Sequence, residues 1–95
     1  MLKIVAKCDV KDEKRTDFVQ SATQLIDKSR EDAGCISYEL FHDFENPNIY
    51  FFIEEWKTPA LAEQHSKTEH FVKYVPIIQG CLNGKFEISK LQKSL

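Results

Sequence analysis

The chain lacks a dominant charge, a long apolar run and a usable cysteine framework. Thirteen Lys and Arg stand against fifteen Asp and Glu, a formal net charge of −2. With no dense basic run either, nucleic-acid binding is not expected. No stretch approaches the roughly 20 apolar residues of a membrane-spanning helix. The opening MLKIVAKCDV is too short and too interrupted by Lys to read as a signal peptide. Cys8, Cys35 and Cys81 are an odd number at wide spacings. That argues against a disulfide framework and suits a reducing, cytoplasmic setting. No activating motif flanks them, so they read as small apolar residues. Three glycines and three prolines leave no linker, repeat or low-complexity tract.

What remains is a folded chain of 95 residues, 42% hydrophobic and 12% aromatic, long enough for one domain with a limited core. Leu2 to Val10 alternates, with Leu2, Ile4, Ala6 and Cys8 on one face, and reads as a strand. Asp12 is placed to cap a following helix. Phe18, Ala22, Leu25, Ile26 and Ser29 form its inward stripe, and Gly34 is suited to the left-handed turn that ends it. Cys35 to His42 is a second strand, with Tyr38 and Leu40 on one face and Cys35 and Phe41 on the other.

Asn46-Pro47-Asn48 turns the chain into a third strand, Ile49 to Trp56. This strand is apolar on both faces until Glu54, so both faces need cover. Thr58-Pro59 starts a short helix, Ala60 to Ser66. Thr68 caps another, Glu69 to Gln79, with Phe71, Val72, Val75 and Ile78 inward and a kink or restart expected at Pro76. Asn83-Gly84 turns into a last strand, Lys85 to Leu91. Strand, helix, strand, strand, helix, strand is the order of a ferredoxin-like α+β sandwich, a four-stranded antiparallel sheet with helices on one face. The other face would expose apolar side chains, and a second copy placed sheet to sheet would cover them.

The candidate chemistry lies between Gly34 and Phe71, which holds most of the aromatic residues and all three histidines. His65 is the best base, since an imidazole titrates near neutrality, and it follows Leu61 by four residues on the inward stripe. The plainer reading is a core-edge histidine bonded to a carbonyl. Trp56 could stack on an aromatic substrate, Tyr38 could hold a substrate oxygen, and Phe52 and Phe71 could wall a pocket, although packing alone explains aromatic residues as well. Glu54 shares a face with Trp56, Phe52 and Tyr50; buried there, it needs a partner and a raised pKa. An ion pair across a dimer is the blander account of it. His65 and His70, five residues apart, would not share one helix face, so a metal site from them is not expected.

The G-C-I-S-Y-E-L stretch from Gly34, N-P-N-x-Y-x-F-x-E-x-W from Asn46 to Trp56, and the run from Ala60-Leu61 to His65, Thr68, His70 and Phe71 together resemble the antibiotic biosynthesis monooxygenase family, including bacterial quinol monooxygenases. The resemblance implies a dimeric α/β barrel with a small apolar pocket in each subunit. It also implies oxidation of a quinol or polyphenol by dioxygen with no metal, flavin or haem. His65 would be the catalytic residue, with Trp56, Tyr38, Phe52, Glu54 and Phe71 binding substrate. Haem-degrading members carry an Asn, a Trp and a His where this chain has Cys8, His65 and Val75, which argues against haem degradation. Two other functions stay open: an isomerase or lyase acting on a small dicarbonyl, and a non-catalytic, ligand-binding or stress-response barrel. An open apolar cavity with a free imidazole nitrogen pointing in would favour catalysis; a filled one with His65 tied to a carbonyl would not.

Overall fold

A computed structural model describes residues 1–95. Its elements are β1 (Leu2–Asp9), α1 (Arg15–Ser29), β2 (Cys35–His42), β3 (Ile49–Trp56), α2 (Pro59–His65), α3 (Glu69–Gln79) and β4 (Glu87–Leu91). The four strands form one antiparallel sheet in the order β2-β3-β1-β4. This is the expected ferredoxin-like arrangement, and the helical stretch after β3 is divided at the Ser66–Thr68 turn into the two expected segments, α2 and α3.

Strand alternation decides what each face carries. Cross-strand partners Ala6, Phe52 and Leu40 lie on the helix-covered face, as do Ile4, Glu54 and Tyr38. Phe18, Ala22, Leu25, Ile26 and Ser29 are the buried residues of α1, the stripe read from its periodicity. They meet Cys8, Phe52 and Trp56 in the core. On the opposite face, Val5 pairs with Ile53 and Phe51 with Phe41. No helix covers this side, and Phe41 is left 48% exposed.

Several local expectations are corrected. Asp12 does not cap α1: residues 12–14 form a 3₁₀ turn, and the helix begins at Arg15 without a side-chain cap. It ends at Ser29, so Gly34 is not its terminator. Gly34 does adopt φ +82°, at the entrance to β2, where a Cβ would lie 2.4 Å from Leu61 Cδ1. The close approach of α2, together with the turn, is what demands glycine there. A bulge after Cys35 shifts the register, so Cys35, opposite Trp56, packs against the core while Ile36 is largely exposed. Pro76 stays inside α3 without breaking it, on the exposed side. Val72 is not inward; it is 62% exposed, whereas Ile78 is buried. The last strand begins two residues late, at Glu87.

Candidate active site

Two threonine caps and one turn assemble the site. Thr58 starts α2 by accepting from Leu61 N at 3.2 Å, with Pro59 in the first turn. His65 is the last residue of that helix. Thr68 then performs two tasks: its Oγ1 donates to the His65 carbonyl at 2.8 Å and accepts from Phe71 N at 3.3 Å. One hydroxyl thus ties the end of α2 to the start of α3. His65 and His70 consequently face each other from two helices, with ring centroids 6.0 Å apart. The argument that five residues prevent them from meeting assumed one continuous helix, and it does not hold.

Both imidazoles donate to one acceptor, Asp32, in the turn between α1 and β2. His65 Nδ1–H reaches Asp32 Oδ2 at 2.7 Å, and His70 Nε2–H reaches the same oxygen at 2.8 Å. A carboxylate only accepts, which places the His65 proton on Nδ1 and leaves the Nε2 lone pair free. That Nε2 is buried and has no hydrogen-bond partner. His65 is therefore not tied to a carbonyl through its ring. Burial lowers its pKa from 6.5 against the opposing pull of Asp32, so the imidazole is neutral at pH 7.

Aromatic rings hold the imidazole. Trp56 lies against it at 4.6 Å between centroids with planes 33° apart. Tyr38 and Phe71 meet it edge-on at 5.4 and 5.1 Å. In front of His65 is a cavity of about 500 Å³, lined mainly by hydrophobic side chains from the sheet, α2 and α3. His65, Tyr38, Phe52, Glu54 and Phe71 all line it, the company expected of them. Trp56 does not: it is fully buried and backs His65, so direct stacking on a substrate is corrected to support of the imidazole. Its position follows from register, since Trp56 is the last β3 residue on the helix-covered face.

Glu54 carries no ion pair of its own within the chain. It accepts from Trp56 Nε1–H at 2.8 Å. Burial raises its pKa above 4.5, only partly offset by hydrogen bonding from Trp56 and Tyr38. Tyr38 is driven well above 10 by burial and by the neighbouring Glu54, so its hydroxyl keeps its proton. A neutral imidazole, a phenol that keeps its proton and a carboxyl with a raised pKa thus line one apolar space. The cysteines take no part: burial pushes the Cys8 thiol up to about 12 and raises Cys35 and Cys81 as well.

Asp32 is the member of the candidate site that sequence reading missed. It lies 33 positions before His65 with no periodic relation to it. The only available signal was an acidic residue beside the Gly34 turn.

Comparison with known proteins points to one family. The family model for antibiotic biosynthesis monooxygenase matches residues 1–76. A Bacillus subtilis (strain 168) protein named "Putative monooxygenase YcnE" is 30% identical over 94 residues, 99% of both chains. A conserved protein from Methanosarcina mazei Go1 superposes with a TM-score of 0.96 at 34% identity, covering 98% of this chain and 92% of that one. A crystal structure of an antibiotic biosynthesis monooxygenase superposes with a TM-score of 0.95 at 30% identity over the whole of both chains.

Proposed function

The chain belongs to the antibiotic biosynthesis monooxygenase family, and on that premise we propose that it oxidises a small electron-rich aromatic, a quinol or polyphenol, with dioxygen and without a cofactor. The observation that carries this reading is His65: its Nε2 is buried and partnerless, and the residue lines an apolar cavity. A buried polar atom without a partner costs about 1–3 kcal/mol. A substrate hydroxyl donating to Nε2 would remove that cost and place its proton on the base.

The reaction needs no external reductant. His65 Nε2 takes a phenolic proton, and Asp32 stabilises the resulting imidazolium through Nδ1–H. The aromatic anion passes electrons to dioxygen and forms a carbon–oxygen bond, giving a peroxide anion. That anion takes the proton back from His65. Loss of water from the hydroperoxide then leaves one oxygen atom on the ring as a hydroxyquinone. The substrate gains one oxygen and loses two hydrogens, and these leave with the second oxygen as water. The apolar walls keep the anion away from bulk water, while Phe52 and Phe71 orient the ring.

The functional assembly in this reading is a homodimer joined through the uncovered sheet face, where Phe41 and Leu91 are about half exposed. Light scattering at micromolar concentration tests it, and a monomer would reject it. The three unpaired cysteines support a reducing, cytoplasmic setting. No helix is long and apolar enough to cross a membrane.

One observation favours a second reading. A neutral imidazole and a carboxyl held toward its protonated form share the cavity, the arrangement that moves a proton within a small dicarbonyl as an isomerase or lyase does. A non-catalytic barrel has less support, because the cavity is unfilled by side chains and Nε2 is free. Oxygen uptake by metal-free protein with a panel of reduced quinones and polyphenols separates the readings. Uptake above autoxidation that disappears in His65→Ala supports the oxygenase. Proton exchange into a dicarbonyl without oxygen uptake supports the isomerase. Uptake unchanged in His65→Ala would remove His65 from the mechanism.

A further inference from the structure

The cluster behind His65 has the composition of a metal site. Asp32 Oδ2, His65 Nδ1 and His70 Nε2 are contributed by three separate segments, and all three atoms lie within 4.8 Å of one another. His65 is buried, and Asp32 and His70 are largely so, with side chains 14% and 16% exposed. No Lys or Arg pairs with Asp32; its only ionisable partners are the two imidazoles. Neither Asp32 nor His70 lines the cavity.

We propose that Asp32, His65 and His70 bind one divalent transition-metal ion, with Zn²⁺ as the representative, and that the bound ion switches His65 from proton acceptor to proton donor. Two imidazoles and a carboxylate are the donor set of borderline metals rather than of calcium or magnesium. At metal–ligand lengths of about 2.0–2.1 Å, donors around a tetrahedral ion lie roughly 3.3 Å apart. The two Asp32 separations of 2.7 and 2.8 Å are shorter than this by about half an ångström, while the cluster extends to 4.8 Å, so ion binding requires the carboxylate to draw back and the two imidazoles to close on each other by as much as about 1.5 Å. The two hydrogen bonds hold the ligands together in the ion's absence.

Protons balance without release. Each imidazole gives its cluster-facing nitrogen to the metal and keeps one proton on its other nitrogen. For His70 that is Nδ1. For His65 it is Nε2, the buried atom without a partner. The metal sits on the Asp32 side of the ring, away from the substrate, and acts only through the imidazole. Metal binding does not depend on the proposed oxygenase activity; only the consequence, loss of the base, rests on that reading.

Isothermal titration of chelator-treated protein with Zn²⁺ alone tests the site. One equivalent per chain is expected, with affinity falling by about tenfold or more in Asp32→Asn and in His70→Gln. His70→Gln leaves His65 and its Asp32 bond in place, so it separates metal binding from the base. Cys35→Ser serves as control and should bind as the wild type does. Long-range ¹⁵N–¹H correlation spectra should show the His65 proton leaving Nδ1 for Nε2 when Zn²⁺ is added. Absence of stoichiometric binding would overturn the proposal. So would binding indifferent to His70→Gln or abolished by Cys35→Ser. If the tautomer stays unchanged while binding occurs, the switch fails. Failure of the oxygenase reading is distinguishable: Zn²⁺ would bind and move the proton in a protein that takes up no oxygen.

Discussion

Replacing Gly34 by Ala imposes two penalties at one residue, and the two can be separated. At φ +82° an L side chain pays for the left-handed region, about 1–2 kcal/mol. The new Cβ would also lie 2.4 Å from Leu61 Cδ1 and 2.8 Å from Leu61 Cβ, well inside van der Waals contact. Relieving such an overlap typically costs about 1–3 kcal/mol. Part of the total is returned because alanine lowers the entropy of the unfolded chain by about 0.4–1 kcal/mol. Gly84 is the internal control: its φ is +88°, and nothing lies within 4 Å of an added Cβ. Gly34→Ala should therefore be less stable than Gly84→Ala by about 1–3 kcal/mol, the contribution of the clash alone. For a domain of this size each kcal/mol lowers Tm by roughly 4–8 °C. Thermal unfolding by circular dichroism at a single protein concentration reads the difference. Leu61→Ala in the Gly34→Ala background should recover the share due to Cδ1 and Cγ but not that due to Cβ, a coupling a double-mutant cycle isolates. Equal Tm values for the two glycine variants would refute the idea that α2 is pressed onto this turn. The consequence reaches the site, because Leu61 lies one turn before His65 and Gly34 two residues after Asp32. A displaced α2 should lengthen the Asp32–His65 bond.

Three further outcomes are expected. Asp32→Asn should lower turnover by about 10²–10⁴ while the far-ultraviolet spectrum stays that of the wild type, since an amide no longer dictates which His65 nitrogen holds the proton; full turnover would deny the positioning role. Glu54 has a folded pKa above 4.5, so the folded state holds a proton that the unfolded state releases as pH rises from 4.5 toward that raised value. The wild type should lose stability relative to Glu54→Gln across that window, as urea unfolding at several pH values would reveal, and parallel curves would contradict it. Thr68→Ala should cost about 0.5–2 kcal/mol and Thr68→Ser much less, because the hydroxyl that caps α3 also holds the His65 carbonyl; the two measured by chemical denaturation should differ.

The elements were legible because their signals are local. Alternation placed β1, an apolar run after the Asn46-Pro47-Asn48 turn placed β3, a 3.6-residue stripe named the five buried residues of α1, and Thr58 and Thr68 announced the starts of α2 and α3 as N-caps. The departures come where local preference met packing. Asp12 suits a cap, but the chain enters α1 through a 3₁₀ turn. Pro76 should interrupt a helix, but α3 continues through it on the exposed side. The register shift at Cys35 left no mark in the pattern of β2, because either face there could have been apolar.

By itself the sequence determined the order of elements, the buried stripe of α1 and the choice of His65 as candidate base. Each follows from periodicity or residue chemistry over a few neighbours along the chain. The tertiary structure decided what His65 does with its two nitrogens. Asp32 reaches it from the turn before β2 at 2.7 Å, His70 from the first turn of α3 meets the same Asp32 oxygen at 2.8 Å, and Trp56 moves from the cavity wall to the back of the ring. Such convergence is set by how helices seat on the sheet, through burial and one shared carboxylate, and no spacing along the chain encodes it.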